Sequence, residues 1–200
     1  MMRFFLIAAI TTLIVACDNG DNESASISAV VIPDANSTSW SVDKARSKLG
    51  FSATQNGNRF EGVFTEYEAQ IFFDPKNLSD ASVNVSIKMD SAETGDRQRD
   101  SALSGADWFK VKEFPTAKFI STDIKLVGDG NYQAIGALTI KDITKDIVLP
   151  FTLNIEDDTA TSNGSVTLVR TDFGVGQGEF STEQWVGFEV DVSIDVVATR

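Results

Sequence analysis

The chain of 200 residues contains no histidine. That removes the commonest general base, the commonest transition-metal ligand and any serine–histidine triad together. Cysteine occurs once, at Cys17, so no intramolecular disulfide can form and stability has to come from packing. Basic residues are few: 17 Lys and Arg stand against 29 Asp and Glu, a formal charge of −12. Phosphate binding needs a basic surface, which excludes nucleic acid as a partner and also excludes a polybasic membrane-binding face. Long apolar runs are missing as well, since Phe4–Val15 is too short to span a bilayer. No segment of helical period is long enough to cover a sheet.

What is present is alternation. With 42% hydrophobic residues the chain can build a sizeable core, and its length suits one domain. From Trp40 onward apolar and polar residues alternate. Leu49, Phe51 and Ala53 come first, and Asn56-Gly57-Asn58 marks a hairpin. Val63, Tyr67, Ala69, Ile71 and Phe73 share one face of the next strand, in which Gly62 is expected to form a bulge or tight bend. Val83, Val85, Ile87 and Met89 follow. After the centre of the chain come Tyr132, Ala134, Gly136, Leu138 and Ile140, then Ile147, Leu149, Phe151, Leu153 and Ile155, with Pro150 near an edge or bend. A further strand is read at Val166–Val169, and Val186, Phe188, Val190, Val192, Ile194 and Val196 close the series. Eight or nine antiparallel strands with one apolar face each predict an all-β sandwich or closed barrel.

Only Ser91–Ile120 breaks the pattern. Asp96 or Thr94 can cap a short helix carrying Arg97, Arg99, Asp100 and Leu103, and Gly105 can end it in the left-handed conformation. Asp107 caps a second turn presenting Trp108 and Phe109, a pair suited to plugging the end of a β structure, and Pro115 returns the chain to extended form.

No catalytic arrangement stands out. Asp96, Asp100, Asp107, Asp123, Asp172 and Glu179 lie near turns, and no spacing selects an acid–base pair. Gly174, Gly176 and Gly178 are wrongly spaced for a phosphate loop and read as a flexible rim loop. Neither an enzyme nor a metal site is expected. Arg99 and Arg170 each admit two readings: an internal pairing that holds the helical plug or rim, or contact with the polar head of a ligand. Phe51, Phe73, Phe119, Phe151 and Phe188, with Leu138, lie on apolar strand faces, while Trp108, Phe109 and Phe173 fall near the mouth of the barrel. They are plain core if the barrel is filled, or the lining of a ligand tunnel if it is hollow.

Residues 1–16 read as a targeting segment, with Arg3 as the positive end. The run Ile14-Val15-Ala16-Cys17 resembles the lipobox of bacterial lipoproteins, which implies acylation of Cys17 and a mature chain beginning there. Residues 17–39, rich in Asp, Asn and Ser, then form a flexible tether ahead of a domain at 40–200. Asp18 resembles an inner-membrane retention signal, so the periplasmic face of the inner membrane is favoured over the outer membrane.

Four stretches together, TGDRQRD (94–100), Leu103 with Asp107-Trp108-Phe109, EFPTAKF (113–119) and GALTIKDITKDIVLPF (136–151), resemble the YceI family of periplasmic lipid-binding proteins. Phe173–Glu179, FGVGQGE, is similar to the branch also found fused to cytochrome b561-type membrane domains. The resemblance implies a lipocalin-like antiparallel eight-stranded β-barrel with a short helical insertion between strands. It also implies an isoprenoid lipid or quinone bound inside, no covalent cofactor, and a b561-like membrane protein as a partner. A filled barrel that docks a membrane protein without any lipid is the other reading left open.

Overall fold

The computed structural model describes residues 38–200. Cys17, the targeting segment and all of the tether but its last two residues lie outside the described residues. In chain order the strands are β1 (Ser39–Val42), β2 (Lys48–Gln55), β3 (Asn58–Phe64), β4 (Tyr67–Phe72), β5 (Ser82–Lys88) and β6 (Ala92–Glu93). After the helix α1 (Arg97–Leu103) come β7 (Thr116–Gly128), β8 (Asn131–Ile140), β9 (Ile143–Glu156), β10 (Thr159–Val169) and β11 (Val186–Thr199).

All the pairings are antiparallel and the sheet closes on itself. β1 and β2 both pair with β11, at Ala198–Thr199 and at Val186–Asp195, so they act as one interrupted strand. β3 and β4 form a second, paired to β2 and β1; β5 and β6 form a third, paired to β4 and β3. With β7 to β11 the eleven segments make a closed up-and-down barrel of eight strands. The alternation of the sequence becomes inside and outside. On β9, Ile147, Leu149, Phe151, Leu153 and Ile155 face in and are half-buried, while the residues between them are exposed.

Local chemistry sets the corners. Asn56 and Gly57 have φ of 50° and 74°, the two left-handed residues of a tight hairpin between Gln55 and Asn58. Gly62 makes no bulge. It pairs in register with Phe51, and a Cβ there would collide with the Phe51 ring, so the glycine makes room for an aromatic; the bend falls at Thr65–Glu66 instead. Asp96 caps α1, accepting from the amides of Gln98 and Arg99, and these bonds hold its carboxyl below the usual carboxylate range. Asp100 turns back to accept from Thr94. The helix ends at Ser104 in right-handed geometry, so Gly105 does not supply the expected left-handed residue; Lys110, with φ of 53°, reverses the chain further on.

Two groups of buried side chains result. The larger includes Trp40, Phe73, Phe119, Tyr132 and Phe173; the smaller joins Phe51, Ala92 and Leu103 beneath α1. Trp108 and Phe109 pack against both.

Candidate functional site in the barrel interior

The inward faces of all eight strands surround a cavity. A water-sized sphere can centre itself within about 230 Å³ of it, whereas one water needs roughly 10–15 Å³. Its wall is aliphatic and aromatic. Besides the Trp40 indole, whose N–H is spent on Phe73 O at 2.9 Å, only Lys48, Tyr67 and Ser162 carry a nitrogen- or oxygen-bearing side chain there. Most of the lining side chains, those of β9, Val83, Val85, Ile87, Val192 and Val196 among them, are only half-buried although they point inward. A filled barrel would bury them. The interior is hollow.

The site residues expected from the sequence divide between this wall and the barrel's ends. Phe73, Phe119, Leu138 and Phe151 line the cavity. At the end where the chain enters at Ser39, Phe73 meets Tyr132 edge-on at 5.4 Å and Tyr132 stacks on Phe151 at 5.5 Å. Phe51 faces inward but stands beyond the cavity, 5.2 Å from Phe64, which packs in turn against Phe109 at 6.1 Å. These three rings and Leu103 form a plug at the α1 end. Trp108, Phe109 and Phe173 stand at the barrel's end but close it rather than line an opening. They pack at that same plugged end, with Phe173 only 3% exposed.

Phe188 is not in the wall either. The β11 ladder with β2 steps from Val186–Gln55 to Val190–Ala53, leaving extra residues on β11, and the bulge carries the Phe188 ring to 5.4 Å from the Arg170 guanidinium. Residues absent from the expected set make most of the wall: Val83, Val85 and Ile87 of β5, Ile147, Leu149, Leu153 and Ile155 of β9, and Val192, Ile194 and Val196 of β11. Their signal was the same alternation, with aliphatic rather than aromatic side chains.

Neither arginine faces the cavity. Arg99 donates from Nε to Gln55 Oε1 at 3.0 Å and lies over the Phe60 ring at 4.0 Å, which fastens α1 to the β2–β3 hairpin; its partners are an amide and a ring rather than a carboxylate. Arg170 is 4% exposed and makes hydrogen bonds to the carbonyls of Val175, Gly176, Phe180, Thr182, Val186 and Gly187. Trp108 and Phe188 flank it. Burial pulls its pKa below the ordinary arginine value and Glu183 opposes that, but the group stays charged. The glycine-rich stretch is therefore wrapped tightly around a cation. Gly174, Gly176 and Gly178 have φ of 63°, 77° and 61°, and a Cβ on Gly176 would collide with Arg170 Nη1. The expectation of a flexible rim loop is corrected to a cage.

Chemically the interior can exclude water from an apolar chain and do little else. No group of three metal-ligating side chains occurs among the described residues.

The comparisons agree with this geometry. A UPF0312 protein of Pseudomonas savastanoi pv. phaseolicola is 32% identical over 165 residues, covering 80% of this chain and 81% of that protein. BcnA of Burkholderia cenocepacia superposes with a TM-score of 0.77 at 33% identity, over 80% of this chain and all of BcnA (100%). A polyisoprenoid-binding domain from Saccharophagus degradans, described as implicated in plant cell wall breakdown, shares the fold with a TM-score of 0.64 at 11% identity, over 80% of this chain and 97% of that domain. The YceI-like domain family matches residues 40–198, all but the first and last residues of the barrel, and the chain belongs to that family.

Proposed function

We propose that this protein holds one isoprenoid lipid, an isoprenoid quinone or a polyprenyl compound, with its tail inside the barrel, for transport, storage or delivery at the membrane. The observation that carries the reading is the hollow interior with its almost unbroken apolar wall. A prenyl tail offers no hydrogen bonds, and this wall asks for few. Burying roughly 400 Å² of tail at about 25 cal/mol per Å² contributes about 10 kcal/mol before the costs of association. The Saccharophagus domain is described as polyisoprenoid-binding, and the interior found here suits the same class of ligand.

Lipid anchoring through Cys17 on the periplasmic side of the inner membrane belongs to the same proposal, and would keep the barrel next to the lipid it serves. A b561-type membrane partner rests on resemblance alone, because the FGVGQGE stretch that suggests it is already accounted for by the Arg170 cage.

Native mass spectrometry of the protein from its own cells should show a species heavier by one isoprenoid lipid. A bare mass in repeated gentle preparations would favour a barrel that docks a membrane protein without lipid. Cys17→Ser should abolish fatty-acid labelling and either release the protein from the membrane or leave it as the uncleaved precursor. Unchanged labelling would remove the anchor from the proposal.

A further inference from the structure

Several stretches of the wall are paired on one side only, among them residues 58–62 of β3, β6 and residues 121–128 of β7, but one break falls between two long strands that both continue past it. β10 pairs with β11 along its whole length, Thr159–Val169, and β9 pairs with β8 from Ile143 to Thr152. Between β9 and β10, however, the ladder runs only from Glu156–Thr159 to Phe151–Gly164 and then stops. Extended in register, Asp146–Pro150 would lie opposite Ser165–Val169, yet none of these residues is paired across that boundary. The cause is local. Pro150 has no N–H to donate, and Gly164, at the last rung, sits so close that a Cβ on it would come within 2.7 Å of Pro150 O. The chains reconnect beyond the gap, where Lys141 Nζ donates to Gly174 O. The result is a slot in which five residues of each strand face one another unpaired, roughly 16 Å at 3.3 Å per residue.

The inner rim of the slot is apolar, and the outer rim is mixed, with Asp146, Ser165 and Thr167 beside Val148, Pro150 and Val169. Ile147 and Leu149 on β9, with Val166 and Leu168 on β10, belong to the cavity wall. On the outside Val148 and Val169 are 45% and 39% exposed. Pro150 completes the run IVLPF (147–151), which is apolar on both faces and so departs from the alternation elsewhere. Exposed apolar side chains on a rim that continues into an apolar interior need explaining in a protein with a charge of −12.

We propose that this slot is the doorway through which an apolar chain enters the barrel sideways. The inference rests on the lipid-holding reading. A tail passing here can cross the outer rim over Val148, Pro150 and Val169, meets hydrocarbon from there inward, and breaks no ladder hydrogen bond, because none is formed. Entry through any laced seam would expose several backbone groups in an apolar setting.

The test closes the slot in the full-length protein. Val148→Cys with Thr167→Cys places two exposed thiols on opposite rims, and a reducible bis-methanethiosulfonate reagent ties them. Thr139→Cys with Thr144→Cys, whose hydroxyls lie 2.8 Å apart across the laced β8–β9 seam, is the control, and each single-cysteine variant accounts for Cys17. A fluorescent polyprenol is delivered from phosphatidylcholine vesicles and its uptake and release are timed. A blocked gate slows both directions equally, so both rates should fall at least about tenfold while final occupancy stays within about twofold. Reduction should restore them, and the control tie should change nothing. Val148→Asp with Val169→Asp should slow uptake without a cross-link. Wild-type exchange rates in both the tied and the aspartate variants would overturn the doorway and leave the hollow barrel standing. No uptake by the unmodified protein would sink the lipid reading and the doorway with it.

Discussion

Arg170→Met should lower stability by about 3–5 kcal/mol, the range for removing one partner of a buried charged network, and should loosen residues 171–187. Six carbonyls now converge on one guanidinium. Methionine fills some of the volume but donates nothing, so these oxygens either stay unsatisfied or reach water by opening the loop. Three left-handed glycines hold the loop in a shape that only the cation rewards. Arg170→Lys supplies a charge but a single donor group, and should recover less than half of the loss. The measurements are the denaturant midpoint and protease cleavage within 174–185. A midpoint near wild type with the loop still resistant would show that the cage is not held by its cation. Were Arg170 a head-group ligand instead, the methionine variant would keep its stability and lose lipid.

Ala69→Phe should have the opposite signature: stability almost unchanged, lipid binding largely lost. Ala69 lines the cavity on β4 between Tyr67 and Ile71 and is only half-buried, because open space stands in front of it. In a filled core, adding a ring costs about 1–3 kcal/mol in strain. Here the ring has room, and it takes that room from the ligand. Displacing about 100 Å² of tail contact removes about 2.5 kcal/mol, roughly a 70-fold loss of affinity. Paired denaturation and binding of a fluorescent polyprenyl probe check it. A large loss of stability with unchanged probe binding would mean that the space in front of Ala69 is not where the tail lies.

The strand faces were legible because the period of two is dictated by the backbone itself, and a half-buried strand has to place apolar residues on alternate positions. Asn56-Gly57 and the Asp96 cap were legible for the same local reason: each satisfies a backbone demand within a few residues. Phe188 and Phe51 were misplaced because alternation gives the side a residue faces, not its depth along the barrel or the effect of a bulge. Gly62 was misread because its neighbour Phe51 lies across the sheet. Arg170 left two readings open, since its partners are carbonyls contributed by a loop up to seventeen residues away, and carbonyls leave no mark in a sequence.

By itself, then, the sequence determined an all-β chain of alternating faces with no histidine chemistry and no disulfide, because composition and local backbone preference act residue by residue. Tertiary structure alone decided that the ring closes at eight strands, that the inward side chains fall short of the axis and leave a cavity, and that the seam between β9 and β10 opens at Pro150 and Gly164. Those outcomes depend on register and on the balance between side-chain volume and barrel radius, which no single strand contains.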